Sequence, residues 1–462
     1  MEIQLFGAAK TVTGSCYSIK TDEKNILVDC GMFQGGKDKE RLNYQEFGFN
    51  PKEYDILLLT HAHLDHCGRI PKLVKQGFKG KILCTSSTKE LANVVMMDAA
   101  NVAKHDTEHE NKRRELEGLP PRDPIYTEDD VKKAMLLFED IDHHEYIDIG
   151  KNITVMFFDA GHILGASFIQ MKITEKNKTI KVVFSGDIGQ IGTPIVKELE
   201  FVQDADYVFI ESTYGDRLHT PIEERRNQFL DIINETYQRK GKLMIPSFAI
   251  ERAQEIIYDI NEFAEKKMMP KMNVYLDSPM AIKATEIFKR HYEDYNEEVK
   301  SIMDSGDNPF HFPGLIYSKT VDDSKAIDLE KKPCIIIAGS GMCTSGRIKH
   351  HIAANIEDPK NTILFAGFQV EGTLGYWIKK GKKRVKLLGK QFNVNSKVVS
   401  IDSYSGHADY KGLIEWLKYF YPKPKKVFIC HGDEKVEREF AKKVEKLGIE
   451  TYIPDMAEII KL

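Results

Sequence analysis

Residues 56–68 read ILLLTHAHLDHCG, an apolar run that ends in three histidines and an aspartate. The run is short and apolar, which predicts a strand ahead of the ligand-type residues. His61 and His63 lie two residues apart, so an extended segment would point both to one side. A turn into a helix then brings Asp65 and His66 around. Imidazole and carboxylate are ligands for zinc and similar metals, and one such segment can face two metal positions. A polar loop capping a helix would account for one or two of these residues, but not for three histidines and an aspartate after ILLLT.

The same grammar recurs along the chain. NILVDCG carries Asp29, FFDAGHILG carries His162, VVFSGDIG carries Asp187 and VFICHGD carries His431. Each is an apolar strand followed by a ligand-type residue and a glycine. Any one alone would be an ordinary polar strand end; the repetition argues for ligands. Side chains on strand ends are also held more rigidly than those on loops.

At 462 residues the chain is too long for one ordinary core. Two domains are expected, or one interrupted by another. The first part reads as short strands with glycine-rich turns. Leu91, Val94, Val95, Ala99 and Val102 then follow a helical period within residues 88–115, and LPPRDP breaks the chain. From about residue 205, YVFIEST, KLMIPSF, NVYLDSP, PCIIIAGSG and TILFAGF alternate with helical segments such as AQEIIYDINEFAEK. That rhythm predicts βα units and a parallel sheet. KKVFICHGD returns to the grammar of the first part, so the second domain is expected to be inserted into the first. The class is α/β, with expected limits at 1–205, 206–388 and 389–462.

Composition narrows the setting. The chain is 42% hydrophobic and 29% charged, with a net charge of −4. That balance does not point to a polyanion partner, although a local basic cleft could still bind one. No stretch approaches 18 apolar residues, so no transmembrane helix is expected, and MEIQLFGAAK reads as no signal peptide. Seven scattered cysteines, never spaced C-x-x-C, fit reduced thiols in a cytoplasm. HDTEH at 105–109 fits the H-x-x-E-H pattern of zinc peptidases, but its highly charged surroundings read as a solvated helix. His143 and His144 are expected at the surface, and Cys67 and Cys430 as buried thiols.

Together these motifs resemble the metallo-β-lactamase superfamily in its β-CASP nuclease branch. HAHLDH with Asp29, His162, Asp187 and His431 is similar to the superfamily's metal motifs. FIESTYGDR, SGHAD and VFICHGDE resemble the three further motifs of the β-CASP branch. The nearest resemblance is to compact bacterial and archaeal ribonucleases related to the endonuclease subunit of the pre-mRNA cleavage factor. It implies an αβ/βα four-layer sandwich with an inserted α/β β-CASP domain, a parallel sheet flanked by helices. It implies two zinc ions per chain: one on His61, His63 and His162, the other on Asp65, His66 and His431, with Asp187 bridging. Asp29 would fix the HAHLDH loop from behind. His407 would be the general acid and Glu211 its partner, completing a catalytic set with Asp65 and Asp187.

The resemblance also implies single-stranded RNA as substrate, cut as in RNA processing or decay by endonuclease and possibly 5′-exonuclease action. Ser247 and Arg252 in IPSFAIERAQE, and Ser340, Gly341 and Arg347 in AGSGMCTSGRIKHH, match stretches that line the RNA cleft in the family. Relatives often have a glycine where this chain has Ser345, which leaves the local backbone there less defined. IKKGKKRVK, 378–386, is a basic run whose default reading is a solvated face and whose alternative is RNA contact outside the cleft. A DNA nuclease of the same superfamily is the runner-up, but that branch commonly replaces the last metal histidine, which is present here as His431. A small-molecule metallo-hydrolase would need neither the inserted domain nor the Glu211–His407 pair, and a dead RNA-binding scaffold would not need the full ligand set. No membrane partner is expected, and a homodimer is compatible with everything above.

Overall fold

The computed structural model describes residues 1–367 and 369–462, which form two compact units. The first comprises residues 1–191, 198–218 and 407–462; the second comprises 192–197 and 219–406.

The first unit is built on two seven-stranded sheets. One runs in the order Ile459–Lys461, Glu2–Leu5, Tyr17–Lys20, Asn25–Val28, Ile56–Leu58, Lys81–Cys84, Phe138–Asp140. Its first four strands are antiparallel, and from Asn25–Val28 onward the pairing is parallel. The other runs Thr451–Tyr452, Lys426–Cys430, Tyr207–Glu211, Lys178–Phe184, Ser167–Glu175, Ile153–Asp159, Ile147–Gly150. Here the first four strands are parallel and the rest antiparallel. Neighbouring parallel strands end on the same side, and this places Asp29 near the HAHLDH loop in one sheet, and Asp187, Glu211 and His431 near one another in the other.

Alternate residues of the two sheets meet in one core. Ile26, Val28, Ile56 and Leu58 join Val155, Phe157, Ile169, Met171, Val182 and Phe184 in it. The intervening Leu27, Leu57, Val183 and Ile210 are also fully buried, under helices. Trp416 of the helix Tyr410–Lys418 packs edge-to-face on Phe168, with ring centres 5.3 Å apart, and Glu434–Glu445 buries Val436, Phe440 and Val444. The result is the expected helix–sheet–sheet–helix layering, and it explains why ILLL carries no polar alternation.

In the second unit all six strands of the main sheet are parallel, in the order Leu315–Tyr317, Asn273–Leu276, Cys334–Ala338, Lys242–Pro246, Thr362–Ala366, Lys397–Ile401. CIIIA, KLMIP and TILFA are buried along their whole length, as a sheet covered on both faces requires. A separate antiparallel hairpin pairs Arg384–Leu387 with Lys390–Asn393.

The expected domain limits are corrected at both joints. YVFIEST does not begin the second unit: Tyr207–Glu211 pairs in parallel with Lys426–Cys430 in the first unit's sheet. Phe209 is stacked there between Phe184 at 5.1 Å and Phe428 at 4.4 Å. Conversely, Lys397–Ile401 completes the second unit's sheet beside Thr362–Ala366. The joints therefore fall at 218/219 and 406/407 rather than 205/206 and 388/389. Short apolar strands look alike in sequence, and only pairing assigns them to a sheet.

HDTEH lies on the exposed part of the long helix Ser86–Leu116, with His105 paired to Glu108 at 3.7 Å. All seven cysteines are buried and free. Among the described residues no helix is long and apolar enough to cross a membrane.

Replacing Phe209 by alanine should empty the centre of an aromatic stack. Unfolding by denaturant should show a loss of about 3–5 kcal/mol. A loss below about 1 kcal/mol would show that this row of rings along one sheet contributes little to the core it faces.

Candidate metal centre

Asp29 follows its strand with φ +60°, a left-handed conformation uncommon outside glycine. The turn sends its carboxylate beneath the HAHLDH segment. Oδ1 accepts from the Thr60 N–H at 2.9 Å and the Thr60 hydroxyl lies 3.0 Å from each oxygen. Oδ2 accepts from Ser15 Oγ at 3.2 Å and His66 Nδ1 at 2.7 Å. Holding the His66 proton on Nδ1 leaves Nε2 as the lone-pair nitrogen. Thr60 works the same way on His61. Its single hydroxyl hydrogen goes to Asp29, so its oxygen accepts from His61 Nδ1 at 3.1 Å, and His61 Nε2 is left free.

Beyond this layer, two groups of donor atoms converge. His63 Nδ1 lies 3.2 Å from His61 Nε2 and 3.1 Å from His162 Nε2. Asp187 Oδ2 lies 3.4 Å from His61 Nε2 and 3.5 Å from His162 Nε2. In the second group His66 Nε2 is 3.3 Å from His431 Nε2 and 3.3 Å from Asp187 Oδ1. Asp65 Oδ2 is 3.6 Å from His431 Nε2. Asp187 thus turns one oxygen to each group.

These donors fit zinc. Ligands about 2.0–2.1 Å from a tetrahedral ion stand about 3.3 Å apart, the spacing seen in both groups. Asp187 Oδ1 is buried without a hydrogen-bond partner, as expected of an oxygen built to face a cation. Burial holds the His61 and His162 imidazoles below their usual range and takes His63 to about 3. Neutral imidazole is the form a metal binds. His66 goes the other way. Burial disfavours its charge, but Asp187 and Asp29 outweigh that and raise it; the same field favours a cation at Nε2. Asp187 is itself held well below the carboxylate range, because His66 and His431 outweigh the cost of burying it.

His407 stands beside this centre. Its Nδ1 is 3.1 Å from Glu211 Oε1 and 3.8 Å from Asp187 Oδ2. Glu211 is buried and fixed by backbone N–H groups, Oε1 accepting from Ile188 at 2.8 Å and Oε2 from Thr213 at 3.1 Å. Burial would lower the His407 pKa, but Glu211 and then Asp187 lift it to about 9.

All eight of Asp29, His61, His63, Asp65, His66, His162, Asp187 and His431 are therefore brought together, with Glu211 and His407 adjoining. Ser15, Thr60 and Thr213 were not singled out in the sequence. Thr60 and Thr213 could have been, since each stands beside a motif residue; Thr213 Oγ1 lies 3.2 Å from His431 Nδ1. Cys67 and Cys430 are buried, as expected. His143 is not a surface residue: its side chain is 9% exposed, and its Nε2 lies 2.9 Å from Ser167 Oγ.

The five residues expected along RNA lie in the second unit, and their side chains serve the fold. Arg252 is buried and donates to the Ala366 carbonyl at 2.6 Å. Arg347 is paired with Asp277 at 2.6 Å. Ser247 donates to the Phe248 carbonyl at 2.9 Å, and Ser340 Oγ accepts from the Thr344 and Ser345 N–H groups. A Cβ at Gly341 would strike the Phe248 ring at 2.9 Å. Arg252 in particular does not present its guanidinium to solvent.

Zinc-reconstituted protein should contain about two zinc ions per chain. Asp187→Ala should lower the content most, because that carboxylate faces both groups; full retention of both ions would exclude the bridging assignment. Asp29→Asn should weaken zinc retention against a chelator by about 10- to 100-fold.

Comparison with known proteins agrees with this architecture. Residues 9–152 match the metallo-beta-lactamase superfamily, 253–378 the Beta-Casp domain, and 392–454 the Zn-dependent metallo-hydrolase RNA specificity domain. The chain is 36% identical to Ribonuclease TTHA0252 of Thermus thermophilus over 94% of each chain. It is 31% identical to the RNase J-like protein of Methanocaldococcus jannaschii, covering 100% of this chain and 99% of that one. It is 33% identical to the transcription termination factor FttA of Methanosarcina mazei, covering 100% of this chain and 72% of that one. A crystal structure of a protein of unknown function from Enterococcus faecalis V583 shares the fold, with a TM-score of 0.55 and 14% identity over 100% of this chain and 99% of that one. The chain belongs to the β-CASP branch of the metallo-β-lactamase superfamily.

Proposed function

We propose that the chain is a zinc-dependent ribonuclease that hydrolyses phosphodiester bonds of single-stranded RNA. The observation that carries this reading is the buried Glu211 holding His407 beside Asp187, next to a complete set of metal donors. A lactam or thioester hydrolase needs no second proton donor of this kind. Ribonuclease names among the relatives, and the match of residues 392–454 to an RNA specificity domain, support the same substrate class.

His61, His63 and His162 would hold one ion, Asp65, His66 and His431 the other, and Asp187 would serve both. Bound zinc supplies Lewis acidity, lowering the pKa of water toward neutrality and offsetting charge on phosphate oxygens. The remaining work belongs to the chain. Asp29 and Thr60 hold the tautomers of His66 and His61, so donors need no rearrangement. Glu211 occupies Nδ1 of His407, which leaves Nε2 to carry a proton outward. As the water oxygen bonds to phosphorus and the P–O3′ bond breaks, that proton passes to the departing 3′-oxygen. Nearby dications would draw the His407 pKa down from about 9 toward the working range of a general acid. Ser247, Arg252, Ser340, Gly341 and Arg347 then act by shaping the backbone along which RNA lies, rather than by direct side-chain contact.

The direct test compares single-stranded RNA, single-stranded DNA and a chromogenic β-lactam at equal enzyme concentration. RNA should be cleaved fastest; preference for DNA or the β-lactam would reject the proposal. Products from 5′- and 3′-labelled RNA distinguish internal cuts from stepwise removal at the 5′ end.

His407→Ala should slow cleavage by roughly 10²–10⁴-fold and leave zinc content unchanged. With sulfur at the scissile 3′-bridging position, the parent-to-variant ratio should shrink, because a thiolate leaves without a proton. An equal defect on both substrates would reject the acid role.

His407 acts protonated, so the rate should fall as pH rises through its pKa. Glu211→Gln removes charge that favours the imidazolium and should move this fall to lower pH. A profile that does not move would place Glu211 outside the proton donor's control.

A further inference from the structure

The protein carries a net charge of −4, yet residues 372–401 contain eight lysines and arginines and no aspartate or glutamate. This stretch lies in the second unit and comprises the short helix Leu374–Lys379, the hairpin Arg384–Leu387/Lys390–Asn393 and the strand that follows. Two of its cations are ion-paired, Lys379 with Asp402 and Lys397 with Glu235. Lys380, Lys382, Lys383, Arg384, Lys386 and Lys390 are exposed, and among the described residues no carboxylate lies within ion-pair distance of them.

The hairpin sorts its residues by face. Val385 and Leu387 are buried, whereas Arg384 and Lys386 point outward opposite Asn393 and Gln391. Arg384 Nε donates to Asn393 Oδ1 at 3.0 Å, and Asn393 Nδ2 donates to Glu357 at 3.0 Å, so the amide orients the guanidinium while the exposed cations of this face are left to meet phosphates. Aromatic surface adjoins it. Of the two tryptophans, Trp416 is fully buried while Trp377 is 40% exposed. Lys382 stands 5.0 Å over the Trp377 ring, and Lys380 stands 5.6 Å from the Tyr376 ring centre. An exposed ring such as Trp377, with a half-buried Tyr376 beside it and cations without carboxylate partners around it, is what single-stranded nucleic acid uses, bases on the rings and phosphates on the charges. A patch that only aids solubility has no use for an exposed indole. Residues 379–391 also fall between the matched Beta-Casp and RNA specificity stretches, so neither assigns them a role.

We propose that this hairpin and Trp377 form a second binding surface for single-stranded RNA, distinct from the metal centre and indifferent to base sequence. The inference rests on the ribonuclease reading for the identity of the strand, but it concerns binding and is read without cleavage. Its function is to hold RNA through several phosphates at once, so that long strands bind better than short ones.

The test uses the zinc-loaded full chain carrying His407→Ala in every variant to slow cleavage, with fluorescent 20-mer and 5-mer single-stranded RNA titrated across a salt series. Lys382→Gln, Lys383→Gln, Arg384→Gln and Lys386→Gln combined should weaken the 20-mer by roughly tenfold or more. The slope of log affinity against log salt should fall by about 0.7 for each phosphate that the variant no longer neutralises. The preference for the 20-mer over the 5-mer should shrink. Trp377→Ala, with the cations intact, should weaken the 20-mer about fivefold or more and change the slope little. Unchanged melting temperatures identify folded variants. Parental affinity and slope in the quadruple variant overturn the inference, and so does equal weakening of both lengths. Vesicles of phosphatidylserine serve as the competing polyanionic surface: loss of vesicle binding with RNA binding retained assigns the patch to lipid and overturns it too. If the chain with His407 intact cleaves no RNA but the patch variants lose salt-dependent RNA binding, the ribonuclease reading fails and the surface stands.

Discussion

The buried carboxylate of Asp187 is the point on which the site turns. One oxygen faces His61 and His162, and the other faces His66. A fully buried carboxylate costs several kcal/mol unless opposite charge meets it. Here imidazoles from three separate segments do so only in part, since burial keeps His61 and His162 neutral. Two cations between these donors would resolve the conflict. A cluster of this kind makes little sense as a stabilising element, and good sense as a binding site held open by a rigid frame.

That frame is the pair of sheets, and the strain sits at its rim. Asp29 and His431 both adopt positive φ, +60° and +51°, directly after parallel strands. Such residues cost of order 1 kcal/mol or more each and persist when their surroundings over-determine them. Asp29 is fixed by four donor groups, and His431 by its N–H on the Ala8 carbonyl at 2.8 Å and by Thr213. A strand that simply continued would carry these side chains past the site. The sharp turn after each strand aims them into it.

The second unit handles charge differently. Its inward-turned guanidiniums are committed to the fold: the buried Arg225 to Glu255 at 2.7 Å, and the half-buried Arg226 to Asp259 at 3.0 Å and Arg347 to Asp277. A buried unpaired cation would be prohibitive, so these guanidiniums are not available to a ligand. Free positive charge is found instead on the exposed hairpin. This separation is why Arg252, which lies in a stretch that matches an RNA-lining one by sequence, braces the fold from inside.

Much of the site was legible in the chain itself, because metal ligands are chemically distinctive and each follows an apolar strand. HAHLDH, His162, Asp187 and His431 could be chosen from residue type and local context, and the α/β class from the spacing of short apolar runs. The partition of strands between sheets could not. Tyr207–Glu211 and Lys397–Ile401 have the same apolar character as their neighbours, and pairing between residues more than 200 positions apart decided where the first belongs. Nor could sequence show that Thr60 sets the His61 tautomer, or that Arg252 is buried. Local composition fixes what a residue is able to do, whereas long-range packing decides which groups face it, and only the second determines whether a charge is paired inside the fold or left for a substrate.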